Sequence, residues 1–393
     1  MQIRHVMAAL LRKILRKPAL KVSTLFASNP SPEAVNKELD KLYRASLNQG
    51  QARNRTMKLR LKKDQRVVIF SDQHKGDGRG ADDFTAARGN YIAALEYYND
   101  QNFYFINLGD CEELWKFDIE HVYRTHRAAF DAEARFAKRK AFFKVFGNHD
   151  IFWNQGWSLN KNIHRLMEHP NTHFINKIYN CAVPVYEAIT IKVETDEGKK
   201  LQFFCTHGHQ GDGQSDGNRF SVWFINNIWG PLQNFLKVNI NTPANDSYLK
   251  SKHNKIMYQW SKKSPERILI TGHTHQPIFN SLTHIERLYL KLYRAEQQQD
   301  TKTIQEIKKE LPRRSKEYAT INAEFQDMLP TYFNTGCCCF SDGTITGIEI
   351  SNGAIRLAKW SYRDGKPVRI VAEEENLDNL WKHLHDGLLN MVC

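Results

Sequence analysis

The sequence predicts a layered α/β domain, and three observations carry that expectation. Short runs rich in β-branched and aromatic residues recur along the 393-residue chain, amphipathic stretches separate the first of them, and each early run ends in a polar cluster containing Gly. Alternation of this kind builds sheets covered by helices, with the loops after the carboxyl ends of strands facing one edge. The early runs are Arg66–Phe70, Phe103–Leu108, Phe142–Phe146, Leu201–Cys205 and Arg267–Ile270. Helical patterns at Phe84–Asn99 and His121–Arg139 separate the first three. Later runs at Tyr332–Asn334, Thr344–Ile350, Ala354–Trp360 and Val368–Ala372, joined by turns such as Ser351-Asn352-Gly353, predict a second sheet with antiparallel pairing. Two segments interrupt the pattern. Residues 212–264 open with the aromatic stretch FSVWFINNIW and turn polar, while residues 284–329 are charged and helical, broken by Pro312.

The totals describe a soluble globular chain with room for one large or two smaller domains, 25% of it charged. No stretch approaches the roughly 18 continuous apolar residues of a membrane span. Seven cysteines at 111, 181, 205, 337, 338, 339 and 393 are odd in number and irregular in spacing, which argues for a reducing, cytoplasmic location over a secreted disulfide framework. The net charge of +13 is unevenly placed: residues 1–66 hold 16 Lys and Arg against 4 Asp and Glu, and the rest of the chain is nearly balanced at 40 against 39. The division expected is therefore a basic N-terminal extension over residues 1–65, partly helical, and one body over 66–393, with the two insertions inside it. In the extension, Ile3, Met7, Leu10, Leu11, Ile14 and Leu15 keep helical spacing, Arg12, Lys13, Arg16 and Lys17 fill much of the other side, and Pro18 ends the pattern. Such a helix suits an anionic membrane surface. It equally suits packing on the domain with a wet basic face, and a transit peptide or a nucleic-acid arm shares the composition.

The strand exits carry the chemistry. The first reads VVIFSDQHKG, and Asp72 and His74, two apart on an extended chain, aim at one point. The next four supply Asp110 in LGDCEELW, Asn148 and His149 in VFGNHD, His207 and His209 in CTHGHQGD, and His273 and His275 in TGHTH. Each signature alone is common. As an ordered series at five strand ends they resist a packing explanation, because unpaired buried charges are costly. The set has enough ligands for two metals, and oxygen and imidazole donors without thiolates favour Mn²⁺, with Fe²⁺ or Zn²⁺ as alternatives. A carboxylate can bridge two ions that together activate water for phosphoryl displacement.

Taken in order, Asp72-x-His74, Gly109-Asp110, Gly147-Asn148-His149-Asp150, His207-Gly208 and Gly272-His273-x-His275 resemble the full motif set of the calcineurin-like metallophosphoesterases. The resemblance runs from about residue 66 to 277, and Asn334-Thr335-Gly336 is similar to a later segment of that family. It implies a four-layer α/β/β/α sandwich of two mixed β-sheets with helical insertions. It also implies that Asp72, His74 and His275 hold one divalent metal, that Asn148, His207 and His273 hold the other, and that Asp110 bridges them beside a hydroxide that attacks phosphorus. His149 would stabilise the developing charge or protonate the leaving oxygen, and Asp150 would orient it. A further resemblance, through Asp110, Glu113 and Trp115 in a G-D-x-x-E-x-W pattern, is to the UDP-2,3-diacylglucosamine hydrolases. Those enzymes also hold acyl chains in a helical insertion, where this chain has a stripe of Val222, Ile225, Ile228, Trp229, Leu232, Phe235 and Leu236 that ordinary core packing would also explain. The best-known branch of that group has Arg in place of His149 and Asp in place of His209.

The function expected is a metal-dependent phosphoesterase or pyrophosphatase acting on a phosphorylated small molecule or a lipid-linked or nucleotide-sugar substrate, peripheral to a membrane. A nuclease or nucleotide phosphodiesterase is the alternative, with the basic arm gripping phosphates. A non-catalytic scaffold would be expected to lack ligands, and this chain lacks none. Lys75 and Arg79 are candidate substrate contacts, His121, His126 and His164 read as structural or exposed, and Cys337-Cys338-Cys339 reads as small buried side chains or a metal contact. The oligomeric state is left open.

Overall fold

The computed structural model describes residues 31–47, 56–80, 82–154, 170–211, 247–264, 267–314 and 328–392. The N-terminal stretch Ile3–Pro18 and the aromatic stripe of the first insertion lie outside the described residues. Fourteen strands are described: β1 Thr56–Arg60, β2 Val67–Phe70, β3 Tyr104–Leu108, β4 Phe142–Val145, β5 Val185–Tyr186, β6 Ala188–Glu194, β7 Lys200–Thr206, β8 Ile268–Thr271, β9 Ile278–Phe279, β10 Leu282–Thr283, β11 Tyr332–Asn334, β12 Ile345–Ser351, β13 Ala354–Arg363 and β14 Lys366–Asn376. They form two seven-stranded mixed sheets, in the orders β1-β6-β7-β8-β11-β9-β10 and β14-β13-β12-β2-β3-β4-β5.

Strand β2 shows how the layers assemble. All four of its residues are buried, and they divide by face. Val67 and Ile69 join Ile106, Leu108, Ile189, Phe203, Ile270 and Phe333 in the core between the sheets. Val68 and Phe70 join Tyr91, Leu95, Phe130 and Phe136 from the helices Arg88–Asp100 and Arg127–Lys138 on the outer side. A run without polar alternation is stable only where both faces are covered, each such side chain contributing about 1.5–3 kcal/mol on burial. On the far side of the other sheet, Val35, Leu39, Leu42 and Tyr43 of the helix Pro32–Leu47 pack with Met257 and Trp260 of the helix Ser247–Ser261 against Phe204 and Leu269. The four layers are thus α/β/β/α, as the resemblance implied.

Several expectations change. Pro32–Leu47 is an outer layer of the sandwich and β1 pairs in parallel with β6, so these two elements pack with the domain although they precede the expected boundary at residue 65. The basic residues of this segment had masked its apolar positions, which recur at helical spacing on one face. The late strands do not make a sheet of their own. β12, β13 and β14 extend the sheet of β2 as an antiparallel meander, with Ile348 opposite Ile69, while β11 enters the other sheet parallel to β8. The stretch His121–Arg139 is two helices, Ile119–Thr125 and Arg127–Lys138, divided at the buried His126, whose Nε2 lies 2.7 Å from Asp82 Oδ2. In the second insertion the helix His284–Gln297 starts from a Thr283/Glu286 capping box. The break falls at 298–300, where Gln299 adopts φ 57°, and Pro312 sits inside the following helix Thr301–Arg314. Among the described residues no helix is long and apolar enough to cross a membrane.

Candidate metal centre

Strands β2, β3 and β4 run parallel in one sheet, and β7 and β8 run parallel in the other. Their carboxyl ends therefore open along one edge, and the five polar exits meet there. Backbone pairing continues past the strands: Asp72 N–H donates to Gly109 O at 3.0 Å, His74 N–H to Asp110 O at 2.9 Å, and Gly272 N–H to His207 O at 3.0 Å. Asn334, in the segment Asn334-Thr335-Gly336, donates from Nδ2 to Gly272 O at 2.7 Å and so fixes the last loop.

Two clusters result. Asp72 Oδ1, His74 Nε2 and His275 Nε2 form the first, with separations of 3.9 Å from Asp72 to His74, 3.3 Å from Asp72 to His275 and 3.1 Å between the imidazoles. Asp110, His207 and His273 form the second, their ligand atoms within 4.8 Å of one another and His207 Nε2 3.1 Å from Asp110 Oδ2. Asp110 lies between them, since the same Oδ2 is 3.7 Å from His74 Nε2. Asn148 is buried on the loop whose next residue, His149, donates its N–H to Asp110 Oδ1 at 2.8 Å.

The residues fit a pair of cations on three grounds. Among the described residues Asn148 Oδ1 and His273 Nε2 are buried with no hydrogen-bond partner, and His207 Nε2 makes no well-directed hydrogen bond. Buried polar atoms without partners are rare and mark an unmade interaction. Asp72, His74, Asp110, His273 and His275 all adopt positive φ, between 49° and 68°. Such backbone strain costs about 1–3 kcal/mol per residue and gathers where function fixes a side-chain direction. Finally, the glycines allow close approach: a Cβ at Gly147 would come within 2.2 Å of Asp110 Oδ1, and one at Gly272 within 2.4 Å of Asp72 Oδ2. The electrostatics agree with a need for positive charge. Burial works against the Asp110 carboxylate, yet His207, His149 and His74 hold its pKa well below the ordinary value. Burial likewise opposes the His207 imidazolium, and Asp110 still pushes its pKa up to about 9.

The orienting carboxylate of His149 is Glu113, and the expected role for Asp150 is corrected. His149 Nδ1 lies 2.9 Å from Glu113 Oε1, and the ring stacks on Trp115 at 4.1 Å between centroids. Asp150 instead accepts backbone N–H groups from Gly147 at 2.5 Å and Cys111 at 2.9 Å, tying the second and third loops together. Glu113 also approaches His74 Nδ1 at 3.5 Å, so one carboxylate steadies two imidazoles. The G-D-x-x-E-x-W pattern was the signal for both Glu113 and Trp115. His209 is buried beside His207, and burial, then its neighbour, lowers its pKa to about 3, which keeps it neutral. Lys75 is no substrate contact: it is fully buried, with Nζ 2.6 Å from Glu133 and 3.2 Å from Glu112. Arg79 has a side chain 81% exposed, 3.9 Å from Asp77.

The fold and the site together define a two-sheet α/β/β/α sandwich with two clusters of metal-ligating side chains meeting at Asp110 along one edge of the sheets. The chain belongs to the calcineurin-like phosphoesterase family, whose family model matches residues 65–277, and that family implies a dinuclear divalent metal site. Solved structures with a similar course include vacuolar protein sorting 29 from Cryptosporidium parvum, at 11% identity and a TM-score of 0.30, covering 80% of this chain and 100% of that one. Another is a dimetal phosphatase from Danio rerio, at 8% identity and a TM-score of 0.31, covering 79% of this chain and 100% of that one. No curated protein matches the sequence.

Proposed function

We propose that the protein hydrolyses a phosphate ester or anhydride at this centre, with Asp72, His74 and His275 around one divalent cation, Asn148, His207 and His273 around a second, and Asp110 shared. The observation that carries the proposal is the position of Asp110 Oδ2, 3.7 Å from His74 Nε2 in one cluster and 3.1 Å from His207 Nε2 in the other. Bound there, a cation pair supplies an activated water and neutralises charge on the phosphoryl oxygens. The chain's own residues do the rest. Glu113 holds His149 by Nδ1, leaving Nε2 as its polar atom for a substrate oxygen, and the Trp115 stack fixes the plane of the ring. From there His149 steadies charge on the phosphoryl group or gives a proton to the departing oxygen. Substrate loops on two sheets and a preorganised polar array suit a reaction governed by positioning.

The substrate class favoured is a lipid-linked or nucleotide-sugar phosphate. Its support is the Asp110, Glu113 and Trp115 pattern together with the basic, amphipathic N-terminal sequence. The test is hydrolysis of bis-p-nitrophenyl phosphate, p-nitrophenyl phosphate or a pyrophosphate ester by the purified protein with Mn²⁺. EDTA and Asp110→Asn should each abolish it. Turnover that survives both removes the proposal.

A further inference from the structure

A second group of metal-binding side chains sits behind His275. The backbone after β11 sends Cys337 and Cys339, 1% and 8% exposed, to one side, while Cys338 enters the opposite core with Phe70 and Phe84. Cys339 Sγ lies 3.5 Å from His275 Nδ1. Both thiol sulfurs and a His275 ring nitrogen fall within 4.8 Å of one another. The other nitrogen of that ring, Nε2, faces Asp72 and His74. His275 therefore turns one nitrogen to an oxygen-rich centre and the other to a pair of thiols.

The spacing suits a tetrahedral ion. Metal–sulfur and metal–nitrogen bonds of about 2.3 Å and 2.0–2.1 Å place neighbouring S and N ligands about 3.5 Å apart. Two thiolates and an imidazole select soft cations over Mn²⁺ or Mg²⁺. We propose that Cys337, Cys339 and His275 Nδ1 bind one thiophilic divalent cation, such as Zn²⁺, at a site that adjoins the dinuclear centre and shares His275 with it. Two metal–sulfur bonds and one metal–nitrogen bond form, the two thiol protons pass to solvent, joined by the His275 ring proton when Nε2 already holds a cation of the dinuclear centre, and nothing is oxidised. Binding at these sulfurs is independent of the hydrolytic function proposed above.

The experiment uses the full-length, reduced, chelator-treated protein and Cd²⁺ as the probe, reading the thiolate-to-cadmium charge-transfer absorption. One equivalent should saturate the band. Cys337→Ser and Cys339→Ser should lose it, whereas Cys338→Ser and Asp110→Asn should retain it, the last separating this site from the dinuclear one. Absence of the band in the native protein, or its survival in a Cys337→Ser/Cys339→Ser double variant, would overturn the proposal. A measurement free of variants runs alongside: Zn²⁺ should protect residues 337 and 339 from alkylation, mapped by mass spectrometry, and protection confined to other cysteines would count against it.

Discussion

Gly147→Ala isolates the packing that places Asp110. The position has ordinary backbone geometry, so the only burden on alanine is its Cβ, which would meet Asp110 Oδ1 at 2.2 Å, Asp110 N at 2.6 Å and His207 Cδ2 at 2.8 Å. Ordinary contact begins at 3.4 Å, so the shared carboxylate or the loop carrying Asn148 must retreat by about 1 Å. Misplacement of that size costs on the order of 100-fold in rate, or about 2.7 kcal/mol of barrier. The assay is kcat/KM for an aryl phosphate ester with Mn²⁺, with bound metal counted by mass spectrometry. Gly80→Ala serves as the control, because nothing among the described residues lies within 4 Å of a Cβ there. Activity of Gly147→Ala within about threefold of the native value, in a protein that melts normally, would refute the argument that Asp110 must sit where it does.

Other substitutions probe the surroundings. Glu113→Gln keeps the shape but loses the charge that holds His149, and should lower activity about 10–100-fold with little change in melting; native turnover would remove Glu113 from the machinery. Lys144 is buried with Nζ 2.8 Å from Glu112, so Lys144→Met should cost about 3–5 kcal/mol in urea unfolding, and a loss below about 1 kcal/mol would contradict the network. Burial opposes the Asp82 carboxylate, but His126 and the N–H groups of Gly78 and Phe84 lower its pKa on folding. Its stabilisation is therefore full above the unfolded value of about 4 and lost as pH falls through the folded one. The stability gap between native and Asp82→Asn protein should narrow in acid, and a gap that widens there would reverse the sign. Deleting residues 1–20 should release the protein from anionic liposomes, and undiminished binding would end the membrane-arm proposal.

The sequence made the centre legible where chemistry and secondary structure coincide. β2, β3, β4, β7 and β8 are apolar runs that stop at a ligand, so the run located the strand and the stop located the residue. β6, AITIKVE, went unread because no motif closes it. Lys75 follows His74 in a polar loop, and nothing local shows that Glu112 and Glu133 will enclose it from 37 and 58 residues away. The partner of His149 was misassigned for the same reason. Asp150 is adjacent in sequence, but the turn bends its carboxylate to backbone N–H groups and leaves the ring facing Glu113. Sequence proximity shows which groups exist, and tertiary geometry decides which of them touch.

The exits that converge on Asp110 come from both halves of the sandwich, Asp72, His74 and His149 from one sheet and His207, His273 and His275 from the other. Ions seated across that seam would be ligands of the native state alone, and by mass action each would add about 2.7 kcal/mol once free cation reached a hundred times its dissociation constant. The supply of divalent ions would then govern how long the two sheets stay joined as well as how fast any ester is cut. A chain translated in a metal-starved cell would lose its persistence along with the hydrolysis proposed for it.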